Sequence, residues 1–248
     1  MALFDTDAIV LRSYPFKEAD KIISLYTKDK GKIKVIAKGV SKTKSSLSAA
    51  LQPFTYNNIL VYKGKSDLGK LSQCDIKESF SKLTSDIYKM SYASYIVEII
   101  DGFTIEYEEN SVLFTLLLLN LRLINNLDDL DILLRIFELK LLKLLGYQPY
   151  LEGCIECGRE LKGSLRFNYQ SGGVICSCTN KIGKRISIGS LKYMRLISRL
   201  DYKGLLRLKV PQYAKEELEK IIPAYIESLL GKKIKSLAFI KDLNRMDT

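Results

Sequence analysis

Hydrophobic and polar residues alternate with a period of two through the first 80 residues. That is the signature of half-buried strands. It predicts strands over Ala8–Tyr14, Lys21–Thr27, Lys32–Lys38, Asn57–Lys63 and Lys70–Asp75. In the second, Ile22, Ser24 and Tyr26 fall on one side and Ile23 and Leu25 on the other. In the third, Ile33, Val35 and Ala37 oppose Lys32, Lys34, Ile36 and Lys38. Asp29-Lys30-Gly31 supplies a turn, Gly39 to Gln52 reads as a loop, and Gly64 to Gly69 as a second turn. Five short strands in so few residues suggest a small barrel, of which the OB-fold is the common five-stranded case.

After Asp75 the period becomes helical. Ser81–Phe103 places Ile87, Met90, Tyr95 and Ile99 along one side, and Asn110 is an N-cap for a helix to about Asn125. Asp128, Asp129 and Asp131 open the next helix, where the helix dipole favours acid. That helix, to Leu145, is apolar nearly all round and so should be buried; Gly146 and Pro149 end it. Residues 150–180 are glycine-rich and irregular. Helical periodicity returns over Leu191–Leu200, over Gln212–Leu230 with Pro223 as a kink or restart, and over Ser236–Leu243. The fold class expected is α+β: an N-terminal five-stranded OB-fold barrel, then an all-helical domain with an inserted four-cysteine zinc knuckle. The domains expected are residues 1–80, residues 81–149 with 181–248, and the insertion 150–180.

Charge sharpens this division. The chain of 248 residues carries 39 Lys+Arg against 28 Asp+Glu, a net +11. Residues 1–80 hold 14 basic and 8 acidic side chains, residues 81–150 hold 6 and 10, and residues 151–248 hold 19 and 10. Two basic regions flank an acidic, apolar middle, which points to a polyanion such as nucleic acid as partner. The chain has no His, which excludes Ser-His-Asp and Cys-His nucleophile pairs and H-E-x-x-H metal sites. The N-terminal segment has no basic region leading into an apolar run, and the longest apolar stretch, Val112 to Ile124, is too short to span a membrane. A cytoplasmic, nucleoid-associated protein without membrane contact is expected.

Four of the five cysteines cluster: Cys154-x2-Cys157 and, after 18 intervening residues, Cys176-x-Cys178. In a reducing compartment such a set points to metal and not to disulfides. Two thiolates two apart in a tight turn offer two corners of a tetrahedron, and a distant pair offers the others. The cofactor expected is a structural zinc ion held by Cys154, Cys157, Cys176 and Cys178; four reduced thiols without metal are the alternative. The second pair is one residue short of the usual spacing, so either Cys178 or a neighbour completes the set. Leu165 to Tyr169 alternates like one arm of a hairpin, and Cys74 reads as a small apolar filler in a strand. Gly64 to Lys70 has the G-x4-G-K spacing of a phosphate loop, but Leu71 stands where Mg²⁺ needs Ser or Thr and a strand follows. A hairpin turn explains it.

Lys32, Lys34 and Lys38 share a face of the third strand; Lys28, Lys30, Lys42, Lys44 and Arg12 surround it. Tyr14, Tyr26, Phe54, Tyr56 and Tyr62 interleave with them. Basic grooves track phosphates and aromatic faces stack bases, as in OB-folds that hold single strands. These eight basic residues are the expected DNA-binding set. Arg195, Arg199, Lys203, Arg207 and Lys209 form a weaker candidate surface, for an acidic peptide or further DNA.

The ordered set Ala8-Ile9-Val10-Leu11-Arg12, Glu18-Ala19-Asp20-Lys21-Ile22, Gly31-Lys32-Ile33, Ala37-Lys38-Gly39, Leu51-Gln52-Pro53-Phe54, Glu138-Leu139-Lys140-Leu141-Leu142, Leu145-Gly146-Tyr147, the Cys154/Cys157 knuckle, Gly172-Gly173, Leu230-Gly231-Lys232-Lys233 and Lys235-Ser236-Leu237 resembles the bacterial RecO family over nearly the whole chain. The resemblance implies an OB-fold on a helical domain with a zinc knuckle, and a role without catalysis. It implies binding of single- and double-stranded DNA, strand annealing, and help to RecR, with RecF in some cases, in loading RecA onto DNA coated by single-strand DNA-binding protein (SSB), whose acidic C-terminal tail is contacted. It places the family's basic strand and loop on Lys32, Lys34, Lys38, Lys42 and Lys44. The alternative reading is an OB-fold and zinc-ribbon protein that binds RNA or serves transcription.

Overall fold

The structure is a computed structural model that describes residues 2–42, 47–64, 68–128, 130–180, 182–205 and 207–246. Its first compact unit comprises residues 1–128 and 234–248, its second residues 129–233. In the first, five strands form a closed barrel: β1 (Ala2–Pro15), β2 (Lys21–Thr27), β3 (Gly31–Ala37), β4 (Tyr56–Lys63) and β5 (Gly69–Glu78), with a short helix α1 (Leu47–Ala50) before β4. The order β1-β2-β3-β5-β4, with β3 parallel to β5, is the connectivity of an OB-fold. Alternation does the folding: Ile23 and Leu25, Ile33 and Val35, and Ile59 and Val61 point inward into one core. Cys74 packs against this core, and burial pushes its thiol up to about 11. β1 begins six residues earlier than its apolar run, because its first half pairs with β4 and its second with β2. Asp5 and Asp7 on its outer face mask the alternation there.

The first unit continues with α2 (Ser81–Thr84), α3 (Ile87–Phe103) and α4 (Ser111–Asn126), and includes the C-terminal helix Lys235–Met246. The single helix expected over Ser81–Phe103 is broken in two. Asp86 adopts an extended conformation and its side chain accepts from the amides of Tyr88 (2.8 Å) and Lys89 (3.1 Å), so it caps α3. Asn110 caps α4 as expected, accepting from Leu113 N at 2.9 Å.

The second unit is built on α5 (Asp131–Leu144), whose sides are almost all buried. α6 (Ile188–Arg199) and α8 (Gln212–Leu230) pack on it, with a short α7 (Tyr202–Leu205) between them in the chain. Pro223 neither stops nor restarts α8, which runs through it as one helix. Arg135 and Glu138 form a buried ion pair at 3.0 Å on α5, a feature hidden among apolar neighbours in the sequence. Residues between α5 and α6 form a three-stranded antiparallel sheet, β7-β6-β8, from β6 (Leu165–Asn168), β7 (Gly173–Ile175) and β8 (Lys184–Ile186).

The C-terminal helix is fastened to α3 through one carboxylate. Glu98 accepts from the amides of Lys235 (3.0 Å) and Ser236 (2.9 Å) and from the Ser236 hydroxyl (2.6 Å), so a residue distant in sequence satisfies the helix's open N-terminus. Burial alone would raise this carboxyl, but the bonds from Ser236 and Lys235 outweigh it and hold it below the ordinary 4.5. A depressed folded-state value means stabilisation that is present above pH 4.5 and lost as pH falls through the lower, folded value. Glu98→Gln should therefore cost about 0.5–1 kcal/mol at pH 7, allowing for solvent screening. In urea melts, the gap between wild type and variant should stay constant from pH 7 to pH 5 and narrow toward pH 3.

Candidate nucleic-acid interface and metal centre

The outward side of β2 and β3 is where the sequence places its basic face. The fold covers the end of it nearest the β2–β3 turn. Tyr26 is fully buried on that side, its hydroxyl donating to the carbonyl of Asn110 (3.4 Å), and burial pushes its phenol up to about 12. Arg12, Ser24 and Lys34 form one cross-strand row, and Tyr26 and Lys32 the next. Lys32 Nζ donates to the carbonyl (2.8 Å) and carboxylate (3.2 Å) of Asp101, and its side chain is only 12% exposed. Arg12 Nε lies 3.2 Å from the other Asp101 oxygen, and Lys34 Nζ 2.6 Å from Glu106. The Glu106 carboxylate raises the Lys34 ammonium above its ordinary value.

The seven described residues of the expected basic set are therefore placed in different surroundings. Arg12, Lys32 and Lys34 are ion-paired within the first unit. Lys28 and Lys30 are exposed at the β2–β3 turn, Lys38 and Lys42 at the opposite end of these strands, beyond β3. The two pairs are separated by the length of β2, about 20 Å at about 3.3 Å per residue. Lys44 lies outside the described residues. Of the interleaved aromatics, Tyr26, Phe54 and Tyr56 are buried, while Tyr14 and Tyr62 are exposed. Phe16, in the β1–β2 turn, is as exposed as Tyr14. It lies outside the alternating runs, so the period-two pattern carries no signal for it.

A structural role for Lys32 separates it from Lys38. Removing Lys32 takes the more sheltered of two cations from Asp101 and a donor from its carbonyl, leaving Arg12 as the partner of the carboxylate, so Lys32→Ala should cost about 1–2 kcal/mol. Lys38→Ala should stay within about 0.5 kcal/mol of wild type. Chemical denaturation of both variants measures the difference.

In the second unit the cysteines converge. The sulfurs of Cys154, Cys157, Cys176 and Cys178 all lie within 4.8 Å of one another. Cys154 Sγ is 3.5 Å from Cys178 Sγ, and Cys157 Sγ is 3.7 Å from Cys176 Sγ. Four sulfurs at about 2.3 Å from a tetrahedral ion would be spaced by about 3.8 Å, so the set fits a Zn²⁺-sized centre. Cys178, whose short spacing left its part open, stands in the fourth position.

Local backbone explains the convergence. Cys154 N donates to the carbonyl of Arg159, and Gly158 N to that of Cys154, each at 2.8 Å; Gly158 takes a left-handed conformation (φ 71°) that closes this turn. The β6–β7 hairpin brings Cys176 under it, with Cys176 N donating to Cys154 Sγ (3.4 Å). Arg159 Nε lies 3.4 Å from Cys157 Sγ and holds that thiol down to about 6, favouring the thiolate that binds metal. All four positions are filled by protein donors, so such a site is closed and suited to structure. Two members of the second basic surface are also engaged: Arg195 donates to the carbonyl of Leu151, and Arg199 pairs with Glu152 at 3.0 Å.

Comparison with known proteins agrees with both halves of this architecture. Residues 1–80 match the family model for the recombination protein O N terminal region, and residues 84–238 that for the C terminal region. The DNA repair protein RecO of Desulforamulus reducens is 36% identical over 98% of this chain and 96% of its own length. That of Shouchella clausii is 37% identical over 97% and 94%, and that of Listeria innocua 36% identical over 97% and 95%. A closed five-stranded barrel, a helical region with a four-cysteine cluster, and matches that run across both place this chain in the RecO family.

Proposed function

We propose that the protein is a DNA repair and recombination mediator without catalytic activity. In this reading it binds single- and double-stranded DNA, anneals complementary strands, and helps RecR load RecA onto SSB-coated single strands. RecF and the acidic C-terminal tail of SSB are further partners, and the protein works in the cytoplasm at the nucleoid. The observation that carries the reading is the match to both RecO regions along a chain whose relatives bear the name DNA repair protein RecO. The exposed lysines support it. Lys28, Lys30, Lys38 and Lys42 would contact phosphates, and Lys44 is a further candidate from the sequence, while Arg12, Lys32 and Lys34 hold the barrel face together.

Mechanistically, phosphates that meet lysines release their counterions, so affinity falls steeply with salt. Lysines that neutralise two strands lower their mutual repulsion and let complementary bases meet. Base pairing drives the step, and no nucleotide is hydrolysed. The four thiolates would hold a zinc ion whose bonds rigidify a glycine-rich segment.

The test is annealing of complementary oligonucleotides coated with SSB, without nucleotide, at two salt concentrations. Acceleration that weakens with salt supports the reading. No acceleration by folded protein overturns it and makes RNA affinity the next measurement. Replacing Lys28, Lys30, Lys38 and Lys42 together by Ala should reduce the slope of log affinity against log salt by about 3 on single strands. An unchanged slope removes these lysines from the interface.

The metal has its own test. Elemental analysis should find one zinc per chain, and Cys178→Ala should lower that content well below one and lower the melting temperature. Full zinc content in the variant would exclude Cys178 as a ligand.

A further inference from the structure

One cross-strand row on the outside of the barrel is apolar where its neighbours are charged. Tyr14 on β1 stands opposite Ile22 on β2, Ile22 opposite Ile36 on β3, Ile36 beside Lys70 on β5, and Lys70 opposite Tyr62 on β4. Side chains paired in register point to the same side of a sheet. These five therefore form a continuous outward stripe crossing all five strands. Tyr14 is 44% exposed and Tyr62 36%, the two isoleucines are half-buried, and Lys70 is exposed. The stripe spans four gaps between strands of about 4.8 Å, roughly 19 Å.

The turn between β1 and β2 extends the stripe with a third ring. Phe16 is 44% exposed, and Lys17 Nζ lies 5.7 Å from its ring centroid. This turn is fixed by hydrogen bonds. Phe16 N donates to the carbonyl of Asp20 (3.0 Å), Ser41 N to that of Ala19 (3.1 Å), and Gly39 N to the Asp20 carboxylate (2.9 Å). Asp20 is thereby committed to the backbone, and the bonds hold Phe16 close to the segment bearing Lys38 and Lys42. Lysines and exposed rings thus meet at this end of the barrel. At the other end, Lys28 and Lys30 flank Asp29 with no aromatic residue in the turn.

We infer that this stripe is a stacking track for single-stranded DNA. The strand crosses the barrel from the β1–β2 turn toward β4, with bases against Phe16, Tyr14 and Tyr62 and phosphates toward Lys17, Lys38, Lys42 and Lys70. Only an unpaired base offers its face to a ring, so the track distinguishes single strands from duplex, which lysines alone do not. A length of roughly 19 Å suits the short end of the range of nucleotides that OB-folds hold. The inference rests on the proposed DNA-binding function and adds the path and the ring contacts. Glu18, exposed in the same turn, is a carboxylate that opposes it.

The full-length chain can be tested with a labelled 30-nucleotide oligo(dT) and a 30-base-pair duplex. Tyr14→Ala and Phe16→Ala should each weaken oligo(dT) binding about five- to tenfold, and duplex binding less than about twofold. Both rings are exposed, so melting temperatures should match wild type, which serves as the folding control. The chain has no Trp, so Phe16→Trp installs a single reporter whose emission should be quenched by oligo(dT) and little changed by duplex. Glu18→Lys should tighten oligo(dT) binding. Wild type that binds oligo(dT) while a variant combining Tyr14→Ala with Phe16→Ala binds equally well would overturn the track and leave DNA binding standing. Equal loss on both DNAs would also overturn it. Wild type that binds neither DNA would overturn the function on which the inference rests.

Discussion

The segment that follows α3 lies along the start of β3 as a short extra rung, and the outer surface of the barrel depends on it. Tyr107 N donates to the carbonyl of Lys32 at 2.9 Å, and Lys32 and Glu106 form an isolated parallel bridge. β3 pairs with β5 only at Val35 and Ile36, so without this rung the edge from Gly31 to Ile33 would be open. Open strand edges invite pairing with other chains. The approach is tight: a side chain at Gly31 would place its Cβ 1.9 Å from the carbonyl oxygen of Glu108, and its backbone is left-handed (φ 62°). Asp101 then pairs with Arg12 and Lys32, and Glu106 with Lys34. Each pair alone is worth little where solvent reaches it, but Lys32 is sheltered and Asp101 serves two cations, so the set acts as a network.

This docking explains the charge map of the chain. The acidic middle is partly the complement of the basic N-terminal segment: Asp101 and Glu106 come from the region of net negative charge, and Arg12, Lys32 and Lys34 from the region of net positive charge. Net charge by segment therefore overstates the cationic surface of the barrel. It also redirects the usual reading of an OB-fold, whose strand 2–3 face serves as the ligand platform. Here the part of that face nearest the β2–β3 turn is packed under the protein's own residues, as the buried Tyr26 shows. The row at the far end of β2 stays accessible.

Most of the fold was legible because alternation reports which side of a strand faces the core. The inward positions of β2 and β3 follow the sequence pattern residue by residue. Caps carried by Asn and the helix-ending Gly146 (φ 81°) were equally readable, because their chemistry is local. Features that depend on distant partners were not. Nothing near Lys32 announces Asp101, 69 positions away, and nothing near Ser236 announces Glu98. The split between α2 and α3 carries no strong sequence signal, because Asp86 interrupts a helical period without Gly or Pro. The four-cysteine cluster was legible in its first pair, whose two-residue spacing is a turn signature. The place of Cys178 required the hairpin that folds it back within 3.5 Å of Cys154.

A residue's type on an alternating strand tells which side it faces, but not what covers that side. Tyr14 and Tyr26 read alike in sequence, as aromatics on the outward register of adjacent strands. Tyr26 meets the carbonyl that also begins α4 and becomes core; Tyr14 lies at the far end and keeps 44% of its surface. Lys32 and Lys38 divide the same way. Position along the strand decides between structure and contact: the end of β2 and β3 under the rung is committed to holding the unit together, and the end beyond it remains for a ligand. An OB-fold can thus bury half of its usual platform in its own architecture and still offer a cationic, aromatic surface, provided that the rings fall on the uncovered row.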